Sequence, residues 1–241
     1  CASGERRPVI YHGEALTVLK TLPSESVQPC ITSPPYWALR RYDIPDVVFD
    51  GDPACEHEWG ETIERVSTGG LQSVTIGSGN GQASSKGSLF SSSSHYCQQC
   101  GAWRGQLGQE PTPDLYIRHM VEIFREVRRV LRSDGTLWLN CGDSYAQQRW
   151  GSGDAPPPTN TGNRAAISCT RIAEGLKPKD LVGIPWMLAF ALRADGWYLR
   201  AENIWAKGIS VCETYAGSVM PESVTDRPTR SHEQVFLLTK N

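Results

Sequence analysis

No stretch of the 241 residues approaches the roughly 18 uncharged apolar side chains that a membrane-spanning helix requires. The opening residues, Cys1 to Arg7, are polar and hold no apolar core of the kind a secretory signal needs. An initiating Met is missing too, so the chain is expected to be a fragment. Neither sign of charge dominates: 24 Lys and Arg stand against 26 Asp and Glu, a net charge of −2, which argues against a generically basic polyanion binder. Lys and Arg are absent between Tyr42 and Glu64, where eight acids sit; taking those eight from the total leaves the rest of the chain at +6. A polyanion could therefore meet a basic face with the acidic segment turned away, although a solvated mixture of charges gives the same arithmetic. No internal repeat is evident.

Apolar residues are not among the shortages. At 39% hydrophobic with eight Trp, the chain can bury a sizeable core and is not wholly disordered. Eight Cys without a secretory signal indicate a reducing compartment, with a cytoplasmic location expected. Such thiols are buried, catalytic or metal-bound, and Cys30 and Cys141 lie in apolar runs as small core residues.

The hydrophobic pattern alternates between strand and helix. Pro8 to Gly13 reads as a short strand, Glu14 to Leu22 as a helix stopped by Pro23, and Val27 to Thr32 as a second strand. Residues 67 to 94 hold ten Ser and six Gly and read as a flexible loop. Thr112 caps the clearest helix, with Pro113 at its first position and Ile117, Met120, Val121, Phe124, Val127 and Leu131 on one face. Gly135 is expected to end that helix, and Thr136 to Asn140 to form a buried strand. Ala146 to Lys179 reads as a long loop, Pro185 to Ala194 as a helix closed by Gly196, and Tyr198 to Trp205 and Gln234 to Thr239 as closing strands. This alternation predicts an α/β sheet with helices on its faces.

Chemistry concentrates where the second strand runs into Ser33-Pro34-Pro35-Tyr36. A double proline cannot continue a central ladder, so the strand ends there, at the sheet edge where α/β proteins bind ligands. An exocyclic amine of cytosine or adenine is a poor nucleophile because its lone pair is delocalised into the ring. Acceptors beside its two N–H bonds would free that lone pair, and the Ser33 hydroxyl and the Pro34 carbonyl can be those acceptors. The prolines hold the carbonyl rigid, which is electrostatic preorganisation. Tyr36 offers a face on which an extruded base can stack. A proline-terminated strand followed by a turn aromatic is the purely structural alternative.

The segments VIYHGEALTVLKTLPSESVQPCITSPPYW, EIFREVRRVLRSDGTLWLNCGDSY and PESVTDRPTRSHEQVFLLTK together resemble the amino-methylating DNA methyltransferases. The closest likeness is to phage and bacterial members whose catalytic motif precedes the cofactor motif. The resemblance implies a Rossmann-like mixed sheet with helices on both faces, incomplete at its C-terminus, over residues 1–241. It implies S-adenosylmethionine and double-stranded DNA as substrates, with Ser33, Pro34, Pro35 and Tyr36 as catalytic residues. Ser in the first position is commoner among cytosine-N4 enzymes than adenine-N6 enzymes. Glu14 resembles the acidic position that approaches the cofactor's adenosine; a helix-start acid favourable to the dipole is the alternative. Asp143 either lines the same pocket or caps the following turn. A homodimer and a cognate restriction enzyme are further partners that the resemblance brings in.

Cys55, His57, Cys97 and Cys100 bracket the Ser/Gly stretch in a 50–108 insertion. Cys-x-x-Cys-Gly suits a zinc knuckle, and four soft and borderline ligands in two pairs suit a structural zinc site in a zinc-ribbon-like fold. His95 could replace His57, since the first pair has only one intervening residue. Lys207, Arg227 and Arg230 are candidate DNA contacts, with Arg149, Arg164, Arg171, Lys177 and Lys179 in the long loop and Trp150 or Trp205 as stacking residues. Two other readings stay open. A protein-glutamine methyltransferase would carry Asn where Ser33 stands and a glycine-rich cofactor loop upstream. A non-catalytic, zinc-stabilised DNA-binding remnant would account for the lack of any Gly-rich strand-to-helix cofactor turn in this chain.

Overall fold

The computed structural model describes residues 8–60, 63–66, 89–92, 95–146, 175–208 and 225–241, the segments 63–66 and 89–92 by their backbone alone. Two compact units result: 1–44 with 106–241, and 45–105. In chain order the elements are α1 (Ala15–Thr21), β1 (Val27–Thr32), β2 (Val47–Phe49), β3 (Ile63–Val66), β4 (Leu89–Ser92) and β5 (Trp103–Gly105). They continue with α2 (Pro113–Val130), β6 (Leu131–Cys141), α3 (Ile184–Ala194), β7 (Tyr198–Ala206) and β8 (His232–Thr239).

The larger unit is built on a mixed sheet of order β1-β6-β8-β7. β1 and β6 are parallel, and β8 runs antiparallel to both of its neighbours. α2 begins as the sequence predicts: Thr112 Oγ1 accepts from Leu115 N at 3.3 Å, Pro113 opens the helix, and Asp114 and Arg128/Arg129 complement the dipole at its two ends. Its apolar face, with Tyr116, Met120, Phe124 and Val127, packs with Leu188 and Leu192 of α3 against Leu137, Leu139, Phe236 and Leu238. Each such side chain removed from water contributes on the order of 1.5–3 kcal/mol. α3 ends where expected, with Gly196 at φ 99° and Trp197 N donating to Leu192 O.

Several elements differ from the sequence reading. Residues 8–13 form no strand: β1 is the edge of the described sheet, and among the described residues no strand lies beside it to pair with them. Gly135 does not end α2. The helix stops at Val130 and the chain passes straight into β6. Gly135 instead serves an irregularity in pairing, where β1 advances from Val27 to Pro29 while β6 advances from Leu131 to Thr136. A Cβ there would sit 2.9 Å from the Gln28 carbonyl oxygen. Part of the Ser/Gly stretch is also ordered: β4 pairs antiparallel with β3. Serine-rich composition hid the Leu89-Phe90 strand, and the stretch 67–88 lies outside the described residues.

Helices on both faces were expected, but among the described residues they cover one. α2 packs against α1 on one side and α3 on the other, forming a single layer. On the opposite face the cross-strand neighbours Ile31 and Trp138 are 78% and 36% exposed. The physical reason is order along the chain: each described helix returns the chain to the same side of the sheet.

The smaller unit pairs β2 with β5, and it is consolidated by the Phe49–Trp103 ring contact and by bridges joining Trp59 to Cys97 and Tyr96 to Trp103. Among the described residues, no helix is long and apolar enough to cross a membrane.

The one-sided core sets unequal costs for truncation. Leu139→Ala is expected to lower stability by about 2–5 kcal/mol, and Ile31→Thr by no more than about 0.5 kcal/mol. Chemical denaturation checks this, and equal losses would contradict a core confined to one face.

Candidate active site and metal centre

Strand direction brings the functional residues to one edge. Because β1 and β6 are parallel and Thr32 pairs with Leu139, Ser33–Tyr36 emerge beside Asn140, Cys141 and Gly142. β8 is antiparallel, so its first residues reach that same edge, Gln234 opposite Cys141. A residue near the chain's end thus meets the loop after β1.

The Tyr36 hydroxyl is the centre of a polar network. It donates to Glu233 Oε2 at 2.9 Å and accepts from Asn140 Nδ2 at 3.1 Å and Ser33 Oγ at 3.2 Å. Asn140 Nδ2 also donates to Glu233 Oε2 at 3.0 Å, and Lys207 Nζ donates to Glu233 Oε1. Burial works against charge on Glu233, but hydrogen bonds from Lys207, Asn140 and Tyr36 outweigh it and hold the carboxyl below the ordinary glutamate range. Burial pushes the Tyr36 phenol well above its usual value, and the adjacent Glu233 carboxylate pushes it further. Since Ser33 directs its own proton to Tyr36, its lone pairs are left to accept from an incoming N–H.

A second set of contacts fixes the loop from behind. The fully buried Tyr116 donates its hydroxyl to Pro35 O at 2.9 Å, and Trp37 Nε1 donates to Glu110 O at 2.9 Å. The Glu110 carboxylate accepts from Gly108 N at 2.8 Å and pairs with His119 Nδ1 at 2.9 Å, both side chains being wholly buried. Ala38, at φ 60°, is held by its N–H to Gly108 O. Two glycines leave room for the loop. Gly108, at φ 88°, would place a Cβ 3.1 Å from Tyr36 O, and a Cβ on Gly142 would lie 2.4 Å from the Tyr36 ring.

The acids singled out in the sequence bind helix starts. Glu14 accepts from Leu16 N and Thr17 N at the start of α1. Asp143 accepts from Ser144 N, Gly183 N and Ile184 N, which caps α3 from a distance in sequence, and Arg230 Nη1 lies 3.4 Å from its Oδ2. The candidate DNA-contacting cations have internal partners: Lys207 meets Glu233, Arg230 also donates to Gln234 Oε1, and Arg227 stacks 3.6 Å over the Tyr145 ring. Arg149, Trp150, Arg164 and Arg171 lie outside the described residues. Lys177 and Lys179 are exposed and pair with Asp180 and Asp226, and Trp205 is 56% exposed.

Sequence reasoning passed over Glu233, Asn140, Tyr116, the Glu110–His119 pair, Gly108 and Gly142. One signal was available: Asn140 is a polar residue directly after the apolar run Leu137-Trp138-Leu139.

In the smaller unit, the ligand atoms of Cys55, His57, Cys97 and Cys100 lie within 4.8 Å of one another. Cys55 Sγ is 3.9 Å from Cys97 Sγ, and Cys100 Sγ is 3.3 Å from His57 Nδ1. Tetrahedral coordination with metal–sulfur bonds of about 2.3 Å puts ligand atoms roughly 3.8 Å apart, which these spacings approximate. Gly101, at φ 74°, makes the knuckle turn and donates its N–H to Cys97 O. Burial opposes charge on Cys97, yet N–H groups of Cys100 and Gln99, with His57, draw its thiol down to about 6. His95 is outside the cluster; its Nδ1 lies 2.8 Å from Arg104 O.

Because Gly142 lies directly under Tyr36, Gly142→Ala is expected to displace the ring and cost about 1–3 kcal/mol of stability through overpacking. Near-UV circular dichroism with denaturant titration would detect both changes; an unchanged Tyr36 environment would contradict the close approach.

Residues 27–241 match the N6_N4_Mtase family, described as DNA methylase. The chain is 37% identical over 232 residues to the Type II methyltransferase M.Cfr9I of Citrobacter freundii and 38% identical over 233 residues to M.SmaI of Serratia marcescens. Each alignment covers 96% of this chain, which spans about half the length of these relatives, 54% and 55% respectively. Among solved structures, PvuII DNA methyltransferase (cytosine-N4-specific) aligns with a TM-score of 0.44 at 12% identity, over 96% of this chain and 48% of that one. The chain belongs to the N6/N4 DNA methylase family.

Proposed function

We propose that the protein transfers a methyl group from S-adenosylmethionine to an exocyclic amine of a base extruded from double-stranded DNA at a specific sequence, with cytosine N4 favoured over adenine N6. The observation that carries this reading is the Ser33–Tyr36 loop: a serine with free acceptor lone pairs and a proline-locked carbonyl at the sheet edge, braced by Tyr116, Glu110 and Trp37. Ser33 and the Pro34 carbonyl accept the two N–H bonds of the amine, and the Tyr36 ring supports the base. Bound S-adenosylmethionine supplies an electrophilic methyl on sulfonium. Glu14 is assigned to it by resemblance and Asp143 by its place after β6 at the same sheet edge, and their carboxylates also organise the starts of α1 and α3. The preference for cytosine rests on serine in the first position of the motif.

Lys207, Arg227 and Arg230 are proposed to face DNA at this edge, where neutralised phosphates would add salt-dependent affinity. A cognate restriction enzyme and a homodimer belong to the same proposal, as does a cytoplasmic location. The 50–108 insertion is read as a zinc-ribbon-like element whose Cys55, His57, Cys97 and Cys100 hold a structural zinc; the spacing of these four ligand atoms favours it.

Tritium transfer from labelled S-adenosylmethionine to DNA by the intact gene product tests the main reading. Ser33→Ala is expected to lower turnover by roughly 100-fold or more while leaving cofactor affinity nearly unchanged. Binding of DNA without any transfer by the unaltered protein would overturn it in favour of a non-catalytic remnant. For the metal, elemental analysis should find one zinc per chain, lost in Cys97→Ser; folded, metal-free protein would overturn that assignment.

A further inference from the structure

Methylation of an amine leaves the nitrogen with one proton too many, and Ser33 cannot keep it. An alcohol is a weak base and accepts a proton usefully only if it hands its own onward. Here the onward route exists and is polarised in one direction. Ser33 Oγ donates to Tyr36 Oη at 3.2 Å, and Tyr36 Oη donates to Glu233 Oε2 at 2.9 Å. The final acceptor is a half-buried carboxylate kept in place by Asn140 and Lys207.

We propose that Glu233 is the proton acceptor for the transfer reaction, reached through the hydroxyls of Ser33 and Tyr36. This rests on the methyltransferase reading above. In the balanced step, the amine lone pair forms the N–CH3 bond as the C–S bond of the methylsulfonium donor breaks, its electron pair remaining on sulfur as a neutral thioether. One N–H proton passes to Ser33 Oγ while the Ser33 proton passes to Tyr36 Oη and the Tyr36 proton to Glu233 Oε2. A sulfonium cation and a carboxylate anion are thereby both neutralised, a favourable outcome at a partly dehydrated site. Lys207, left facing a neutral acid, then favours loss of that proton to water and resets the site. Tyr36 in this account has two separable parts, a ring that supports the base and a hydroxyl that carries the proton.

The groups that face Glu233 are Lys207 from beyond β7, Tyr36 from the β1 edge and Cys141 from β6. Burial and the charges of Asp143 and Glu233 push the Cys141 thiol up to about 12, so it stays neutral across the working range. Glu233 is therefore the group whose protonation at low pH blocks the route.

The test uses the intact gene product under single-turnover conditions. Glu233→Gln and Tyr36→Phe, the latter keeping the aromatic face, are each expected to slow methyl transfer by roughly 100-fold with little change in S-adenosylmethionine binding. The double variant should be no slower than either single one, because both interrupt one path. In Glu233→Gln the low-pH limb of the rate profile should disappear, and in ultraviolet titration the Tyr36 phenol should ionise at lower pH than in the unaltered protein. Transfer within threefold of normal in both single variants, or an unchanged low-pH limb in Glu233→Gln, would overturn the relay and leave the methyltransferase reading standing. Additive losses in the double variant would likewise overturn a shared path. Absence of transfer by the unaltered protein would overturn both.

Discussion

The polar network at the reactive edge depends on a hydrogen bond between groups 197 positions apart in sequence, the Tyr36 hydroxyl and the Glu233 carboxylate. A tyrosine on a loop after a strand has little to fix it. A carboxylate at the start of a strand would ordinarily turn to water. Joined, they orient the ring, give the serine hydroxyl an acceptor, and hold a negative charge beside the Ser33–Tyr36 loop. The bond exists only because β8 runs antiparallel beside β6, which brings its first residues to the edge where β1 ends.

The cost of holding that charge is shared. Desolvation alone would raise the Glu233 carboxyl, and three donors reverse the balance. The loop's rear face follows the same logic with buried groups, since Tyr116, Trp37, Gly108 and the Glu110–His119 pair satisfy each other. Buried polar groups that are paired in this way fix one geometry, which a preorganised acceptor site requires. The Cys/His cluster in the smaller unit bears on a different problem. Its short β2–β5 pairing offers few apolar side chains, and four ligands around one ion can supply the missing cross-link.

Much of the fold was legible because single side chains announce it. Thr112 and Pro113 mark the start of α2, Gly196 marks the end of α3, and the double proline marks the end of β1. The misreadings have a common origin in tertiary context. Gly135 looks like a helix stop, yet its missing side chain serves a close approach to the backbone of a strand distant in sequence. Residues 8–13 alternate like a strand but have no neighbour in the described sheet. Averaged over a serine-rich window, β4 disappears. At the site, Ser33–Tyr36 was visible as a compact motif, and the four clustered Cys and His residues as two spaced pairs. Glu233, Asn140 and Gly142 were not, because their roles arise from the order of strands and no local pattern records it.

The most direct test of the central claim is to identify the product. DNA incubated with the intact gene product and methyl-labelled S-adenosylmethionine can be digested to nucleosides and analysed by mass spectrometry. The label is expected on an exocyclic nitrogen, as N4-methylcytosine. Label on cytosine C5, or on an amide nitrogen of protein with none in DNA, would contradict the account.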